Sequence, residues 1–600
     1  MFSRARSAAL LLLPLIALVF AGCATSHPPV PAERSLSLDE KVGQLIVITA
    51  DGRFMNEESP EFQRLLHQVR DNHVGGIHWY NADVYETAWL NRQLQAASKV
   101  PLLVSADLEA GIGMRFIDTT YWPWAMAVGA TGDPAYAEKM GGVTADDAKL
   151  VGINQVYAPV ADVNNDPDNP VINVRSFGED PADVARFVAA FVRGVQSEGV
   201  LATAKHFPGH GDTHTDSHRS VPVVDVSRER LESTELVPFR AAIAAGVGSI
   251  MPAHVSYPAL DSTPVPVRTN LTPKQNPYGA GIDEVAQNTT RPATVSPKIV
   301  HDLLRGELGF KGLVVTDSLG MGGITLHYAP GDAAVLAIEA GVDQLLNSPD
   351  TDEAIEGVKE AVADGRISRA RIDESVARIL EAKSRVSPPA DSQEEIFRAL
   401  DSPQKKALAA EIAQRSLTLV RQQEGALPLD RGAKVVEMVV SDFLEAVPPL
   451  LDLRRELRAR LENAPDRFYF DRRSTADDQA QFLEAAKNAD VVLVESVVRL
   501  RSGEGHISMP ELAHQTLLQL PNATSARIEM ISFGTPYIVR DVPWMPTYLI
   551  AWGPQPVMQV AAARALFGEA PVSGHTPVTI PGICDRGWGI VTAPVAAGTR

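Results

Sequence analysis

Leu313-Val314-Val315-Thr316-Asp317-Ser318-Leu319-Gly320-Met321 joins a short apolar run to a carboxylate and then to a glycine-bearing loop. A continuous apolar run of this length reads as a strand covered on both faces, as in a parallel sheet, and Asp317 then stands at its C-terminal end. The same pattern recurs on either side. Strands are predicted near residues 44–49, 75–79, 102–107, 155–160, 202–206, 249–253, 313–316 and 344–346, eight in all. Between several of them lie amphipathic stretches at 181–199, 231–246 and 296–309, each closed by a glycine suited to a helix C-terminus. Eight short strands with interleaved helices define an α/β chain whose residues 37–386 form a (β/α)8 TIM-type barrel.

The remainder bounds that barrel. A chain of 600 residues exceeds what one core organises, so a second domain is expected. An amphipathic helix over 367–386 closes the first domain, and the Pro- and Ser-rich break beyond it suggests a linker over 387–400. Predicted strands at 435–440, 491–495, 528–532 and 548–551, alternating with helices at 450–463 and 558–566, make 401–600 a smaller α/β sandwich domain. The Pro-, Asn- and Gly-rich stretch 264–290 reads as a surface insertion, and its sequons at Asn270 and Asn288 are given no role.

The N-terminus carries Arg4 and Arg6, an apolar run over 8–21, and Gly22-Cys23, the layout of an export signal over 1–22. Phe20-Ala21-Gly22-Cys23 resembles a bacterial lipobox, which implies acylation of Cys23, a tether over 23–36 and attachment to a membrane through lipid. Ala24 follows the cysteine, and in a cell with two membranes that resemblance favours the outer one. Cys584 is the other cysteine of the two, so no disulfide framework is expected, and it is read as a buried spectator. The net charge of −19 argues against a nucleic-acid partner, which is bound by neutralising phosphates. A monomer is expected.

Asp107, His206, His254 and Asp317 all fall at or just after the ends of predicted strands, the rim where reactive side chains of such barrels converge. The densest constellation is Lys205-His206-Phe207-Pro208-Gly209-His210-Gly211-Asp212-Thr213-His214-Thr215-Asp216-Ser217-His218, with four of the chain's 14 histidines at intervals of four. On a helix that spacing would align metal ligands along one face. Pro208, Gly209 and Gly211 interrupt any helix, so a metal-dependent hydrolase is the lesser alternative and no metal or other cofactor is expected. A glycine-rich loop can instead carry a catalytic group inward. Asp216 and His218 suit that use, since a carboxylate two residues away can orient an imidazole and stabilise its protonated form.

The segment from Lys205 to Thr213, followed by Asp216-Ser217-His218, resembles the signature of glycoside hydrolase family 3, in its β-N-acetylglucosaminidase branch. Asp107-Leu108-Glu109-Ala110-Gly111 with Arg115-Phe116, Arg175-Ser176-Phe177-Gly178-Glu179-Asp180-Pro181, Met251-Pro252-Ala253-His254 and 313–321 match as well. The resemblance implies a retaining exo-β-N-acetylhexosaminidase with Asp317 as nucleophile and His218, oriented by Asp216, as proton-transfer group. It implies that Asp107, Arg115, Arg175, Lys205 and His206 hold the terminal sugar; the export and lipidation signals point to an amino-sugar oligosaccharide or muropeptide of the cell envelope as the substrate. Departures lie at 107–111 and in the 264–290 insertion. In the glucosidase branch the acid/base is a glutamate of the second domain, for which Glu504 is the candidate. A phosphorylase, a β-glucosidase and a silent glycan-binding lipoprotein are the alternatives.

Overall fold

The computed structural model describes residues 30–266, 268, 289–390, 392–442, 449–498 and 507–595. The expected export signal with Cys23, Asn270, Asn288 and Glu504 lie outside the described residues. Eight parallel strands form the first sheet: β1 (Ile46–Gly52), β2 (Gly76–Ala82), β3 (Leu103–Ala106), β4 (Gln155–Val156), β5 (Leu201–Phe207), β6 (Ser249–Pro252), β7 (Leu313–Val314) and β8 (Leu345–Leu346). They lie in the order β7-β6-β5-β4-β3-β2-β1-β8, and a parallel bridge between Val315 and Gln344 brings the two ends together. Val47, Tyr157, Met251, Val315 and Leu346, from five strands or their ends, pack as one small cluster.

Local chemistry explains where the elements begin and stop. The helix Pro181–Ser197 starts on Asp180, whose carboxylate accepts the N–H groups of Ala182 and Asp183, with Pro181 at its first position. Val184, Phe187, Val188, Phe191 and Val195 then recur at helical spacing and are buried. The helix predicted over 231–246 is instead two, Arg228–Ser233 and Leu236–Ala244. Pro238 has no N–H to give the carbonyl of Thr234, and its ring would collide with that carbonyl, so the break falls there. The helix predicted over 296–309 is Lys298–Glu307, wound wider as a π-helix. The fourth strand is shorter than its apolar run, ending before Pro159, which cannot donate to a neighbour.

The second sheet has the order β11 (Asp466–Phe470), β10 (Val435–Ser441), β12 (Val491–Val497), β13 (Arg527–Ser532), β14 (Thr547–Ile550), β9 (Thr418–Arg421), parallel except for β9. Helix Leu451–Arg460 lies against Pro556–Leu566, and Ala476–Ala486 against Glu511–Ala523. Right-handed crossovers put these pairs on opposite faces of the sheet. Residues 387–400 are packed, unlike a free linker: Ala390 donates its N–H to Leu150, a helix spans Gln393–Ala399, and Ile396 is buried. Two apolar side chains in that segment suffice to hold it down.

The domains share a core. Met126, Ala127, Ala130 and Val174 of the barrel join the apolar cluster of the second sheet. Glu179 accepts from the N–H and the hydroxyl of Thr579, both at 2.7 Å, and Arg586 pairs with Asp180 at 3.0 Å.

Within β13, Glu529 is 2% exposed, and neither of its carboxylate oxygens has a hydrogen-bond partner. Burial pushes its carboxyl up to about 7, against a smaller opposing effect of Arg527. The folded value lies above the ordinary 4.5, so the stability present below pH 4.5 is lost as pH rises towards 7. Glu529→Gln is therefore predicted to raise stability at pH 8 by on the order of 3 kcal/mol, with the gain vanishing near pH 4, as read by denaturant unfolding at the two pH values.

Candidate active site

Because every strand of the first sheet runs the same way, the residues that follow their C-terminal ends emerge together. Asp107 follows β3, Lys205 and His206 end β5, and Asp317 follows β7 by three residues. All eight residues expected to act, namely Asp107, Arg115, Arg175, Lys205, His206, Asp216, His218 and Asp317, line one cavity of about 730 Å3 at this rim. Pro554 of the second domain reaches the same cavity.

One side of the cavity is an ion network. The Lys205 ammonium, 3% exposed, stands 2.7 Å from Asp107 Oδ1 and 2.7 Å from Glu109 Oε1. Arg115 Nη2 donates to Asp107 Oδ2 at 2.6 Å, and Arg175 donates to both oxygens of Glu109 at 2.8 Å. His78 Nε2 lies 3.4 Å from Asp107 Oδ2. Burial alone would raise both acids, but the cations outweigh it. Lys205 and Arg115 hold Asp107 well below its usual range, and Arg175 and Lys205 lower Glu109 to about 2. Lys205 is raised in turn by Asp107 and Glu109 against its own desolvation. The network is charged across the physiological range and presents fixed donors and acceptors, which suits hydroxyl and amide groups.

Asp317 lines the same cavity. Its Oδ1 accepts the Ser318 N–H at 2.7 Å. Burial pushes its pKa up, but His254, His206, Lys205 and the Ser318 N–H together pull it below the ordinary carboxylate value. Of these, Lys205 keeps its charge at neutral pH, so Asp317 is an ionised acceptor aimed into a partly enclosed space.

The third component is the loop after β5. Asp216 is fully buried, and its Oδ1 accepts the His218 N–H at 2.8 Å and lies 2.7 Å from His218 Nδ1. With Nδ1 donating to the carboxylate, Nε2 is the nitrogen that can exchange a proton with substrate. The loop is packed rather than solvated. Asp162 accepts the N–H groups of His206 and His210 and lies 2.8 Å from His206 Nδ1. Gly211 rests on Val163, where a Cβ would fall 1.6 Å from the carbonyl oxygen. At its far end the loop is tied to the segment carrying Asp317: Gly322 N–H donates to the His218 carbonyl, and Gly323 N–H to that of Ser217, both at 3.1 Å.

The histidines at intervals of four follow no helix, as Pro208 and the glycines require. Both ring nitrogens of His210 are engaged, with Thr213 at 2.9 Å and Ser217 at 3.0 Å. Among the described residues no group of three or more His, Cys, Asp or Glu is arranged to hold a metal ion. His254 corrects the expectation of four converging rim residues. It does not line the cavity but stands behind it, its ring between Thr294 Oγ1 at 2.8 Å and the Ser318 carbonyl at 2.9 Å. Cys584 is half-buried rather than fully so. Glu109 and Asp162 join the network of the site beyond the residues expected from sequence; a lone acid between Leu108 and Ala110, and an acid just past the fourth strand, are the signals the sequence offers.

An ionised carboxylate and an imidazole–carboxylate pair lining a cavity of fixed polar groups are components suited to acid–base chemistry on a polar substrate. Comparison with known proteins agrees. The Glycosyl hydrolase family 3 N terminal domain matches residues 37–382 and the Glycosyl hydrolase family 3 C-terminal domain residues 347–587. The chain is 32% identical over 557 residues to the "Beta-N-acetylglucosaminidase/beta-glucosidase" of Cellulomonas fimi, covering 90% of this chain and 93% of that one. A solved family 3 β-N-acetylglucosaminidase from Paenibacillus sp. str. FPU-7 superposes with TM-score 0.78 at 32% identity, over 91% of this chain and 99% of the other. The solved "Beta-glucoside phosphorylase BglX" superposes at 0.77 with 27% identity, over 92% and 94%. The protein belongs to glycoside hydrolase family 3 and is a glycoside hydrolase of its two-domain fold.

Glu109→Gln tests the network. Arg175 and Lys205 then share one carboxylate fewer, and folding stability at pH 7 is predicted to fall by about 3 kcal/mol, with KM raised roughly tenfold or more. The folded value of Glu109 is depressed to about 2, so its contribution is present above the ordinary 4.5 and lost as pH falls towards 2. The stability gap between variant and wild type should close across that window in denaturant titrations.

Proposed function

We propose that the protein is a retaining exo-β-N-acetylhexosaminidase that removes terminal, non-reducing β-linked N-acetylglucosamine through a covalent glycosyl-Asp317 intermediate. The observation that carries this reading is the Asp216–His218 pair, 2.7 Å apart, on a loop joined by two peptide hydrogen bonds to the segment after Asp317. In the first step an Asp317 oxygen attacks the anomeric carbon while His218 gives its Nε2 proton to the departing oxygen. Asp216 stabilises the imidazolium that precedes this transfer. In the second step His218 takes a proton from water, the water attacks the same carbon, and Asp317 leaves as carboxylate, so configuration is retained. An imidazole can both give and take a proton, which suits a group that must act as both acid and base. Asp107, Arg115, Arg175, Lys205 and His206 hold the hydroxyl and acetamido groups of the sugar. The sugar itself is supported by the Cellulomonas fimi and Paenibacillus relatives, both β-N-acetylglucosaminidases by name.

The export signal and Cys23 support a lipid-anchored enzyme at the cell envelope, acting on muropeptides or chitin-derived fragments. Retention of the protein in the membrane fraction after Cys23→Ala would contradict the anchor.

A second reading has its own support. A neutral imidazole repels an incoming phosphate less than a carboxylate acid/base would, and one solved relative is titled a phosphorylase. Product analysis in phosphate buffer separates the two, since N-acetylglucosamine 1-phosphate in excess of free sugar would make phosphorolysis the reaction. Comparison of nitrophenyl glucoside with nitrophenyl N-acetylglucosaminide separates the glucosidase.

Steady-state kinetics on aryl N-acetylglucosaminides give the principal test. Asp317→Ala is predicted to lose nearly all turnover. In kcat/KM, His218→Ala is predicted to lose roughly 100-fold or more on poor leaving groups and much less on good ones, because the acid matters least when the departing oxygen needs no proton. Equal loss for all leaving groups would remove His218 from that role.

A further inference from the structure

We infer that Gly322 and Gly323 are positioning residues that set where His218 stands relative to Asp317, the two glycines forming a backbone clasp between the segments that carry them. This rests on the roles proposed for His218 and Asp317. The observations concern the chain that runs on from the nucleophile. After Asp317-Ser318-Leu319-Gly320-Met321, the N–H of Gly322 reaches the carbonyl of His218 and the N–H of Gly323 that of Ser217, each at 3.1 Å. The residue bonded by Gly322 is the proposed acid/base itself, so a path of five residues and one hydrogen bond connects its backbone to the nucleophile.

Only glycine allows this approach. A Cβ on Gly322 would lie 2.5 Å from the His218 carbonyl oxygen and 2.8 Å from that of Arg219, both backbone atoms that no rotamer change can move aside. A Cβ on Gly323 would meet His254 Cβ at 3.0 Å and the Ser217 carbonyl oxygen at 3.2 Å, a milder conflict. Neither glycine has a positive φ, so the requirement is proximity and not backbone conformation. His254 completes the stack from behind by bonding the Ser318 carbonyl through Nε2 at 2.9 Å. The side-chain link to Asp216 orients the imidazole ring, whereas the clasp places the whole residue. A displacement of about 1 Å in a catalytic group is enough to lower turnover by two orders of magnitude.

The test uses the full chain with Gly322→Ala and Gly323→Ala, measured beside His218→Ala and wild type. Gly322→Ala is predicted to lower kcat/KM at least about tenfold on substrates with poor leaving groups and less than about threefold on good ones, whose kcat falls instead because release of the sugar from Asp317 then limits turnover. Gly323→Ala should show the same pattern more weakly. Azide supplies the readout that mere loss of structure would not give. With an activated substrate it attacks the anomeric carbon of the glycosyl ester, the bond to the Asp317 oxygen breaks with its electron pair returning to the carboxylate, and no proton has to be removed. Restored turnover with glycosyl azide as product is expected for Gly322→Ala as for His218→Ala. Wild-type dependence on leaving group in Gly322→Ala, or a loss equal for all substrates that azide does not restore, would overturn the inference. Failure of the wild type to release N-acetylglucosamine would instead overturn the proposed function and leave its own distinct mark.

Discussion

Eight strands running in one direction, drawn together by the Val315–Gln344 bridge, are the constraint on which everything else depends. Parallel strands deliver their C-terminal ends to one rim, so Asp107, Lys205 and Asp317, distant along the chain, meet around one cavity. Had any one strand been reversed, its reactive residue would face the opposite rim. The interior of the barrel has no other task than to keep this alignment, and apolar side chains such as Val47 and Met251 fill it.

Placing charges at that rim is unfavourable unless each is matched, and the match made here also prepares the site. Lys205 bridges Asp107 and Glu109, while Arg115 and Arg175 take the remaining oxygens. Desolvation works against every one of these groups, and mutual attraction overrides it. The same ammonium helps keep Asp317 ionised. The proposed acid/base is arranged on different terms, with one buried carboxylate holding both the backbone and the ring of His218. Permanent charge therefore lines one part of the cavity, and the imidazole of His218 is held through the Asp216 carboxylate.

Much of this was legible in the sequence because the barrel writes itself in apolar runs. All seven residues of β5 are buried, and so continuous a pattern has few other readings. All eight strands occur near their predicted positions, though β4, β7 and β8 are regular over only two residues each, since apolar character persists beyond the ladder. The helix predicted over 231–246 divides at a proline whose effect falls four residues upstream, and the segment over 387–400 packs through two small contacts that composition hides. In the site, Asp107 and Asp317, expected from strand-end position, and His206, His210 and His218 of the histidine constellation line the cavity, whereas His214 does not. Glu109, Asp162 and the Gly322–Gly323 pair were not legible, because their roles come from partners far away in the chain. His254 shows the converse, a strand-end residue whose ring is turned to support the Asp317 loop.

The account stands on Asp317 forming a bond to sugar while His218 moves the proton, and that bond can be caught. In His218→Ala, a substrate with a good leaving group still glycosylates the enzyme, but the second step lacks its base, so the intermediate should accumulate. Rapid acid quench, proteolysis and mass spectrometry then identify the modified residue. One N-acetylglucosaminyl group on the peptide containing Asp317, lost again in Asp317→Ala, is the predicted result. Efficient turnover with no adduct, or an adduct on Asp107 or Asp216, would contradict it.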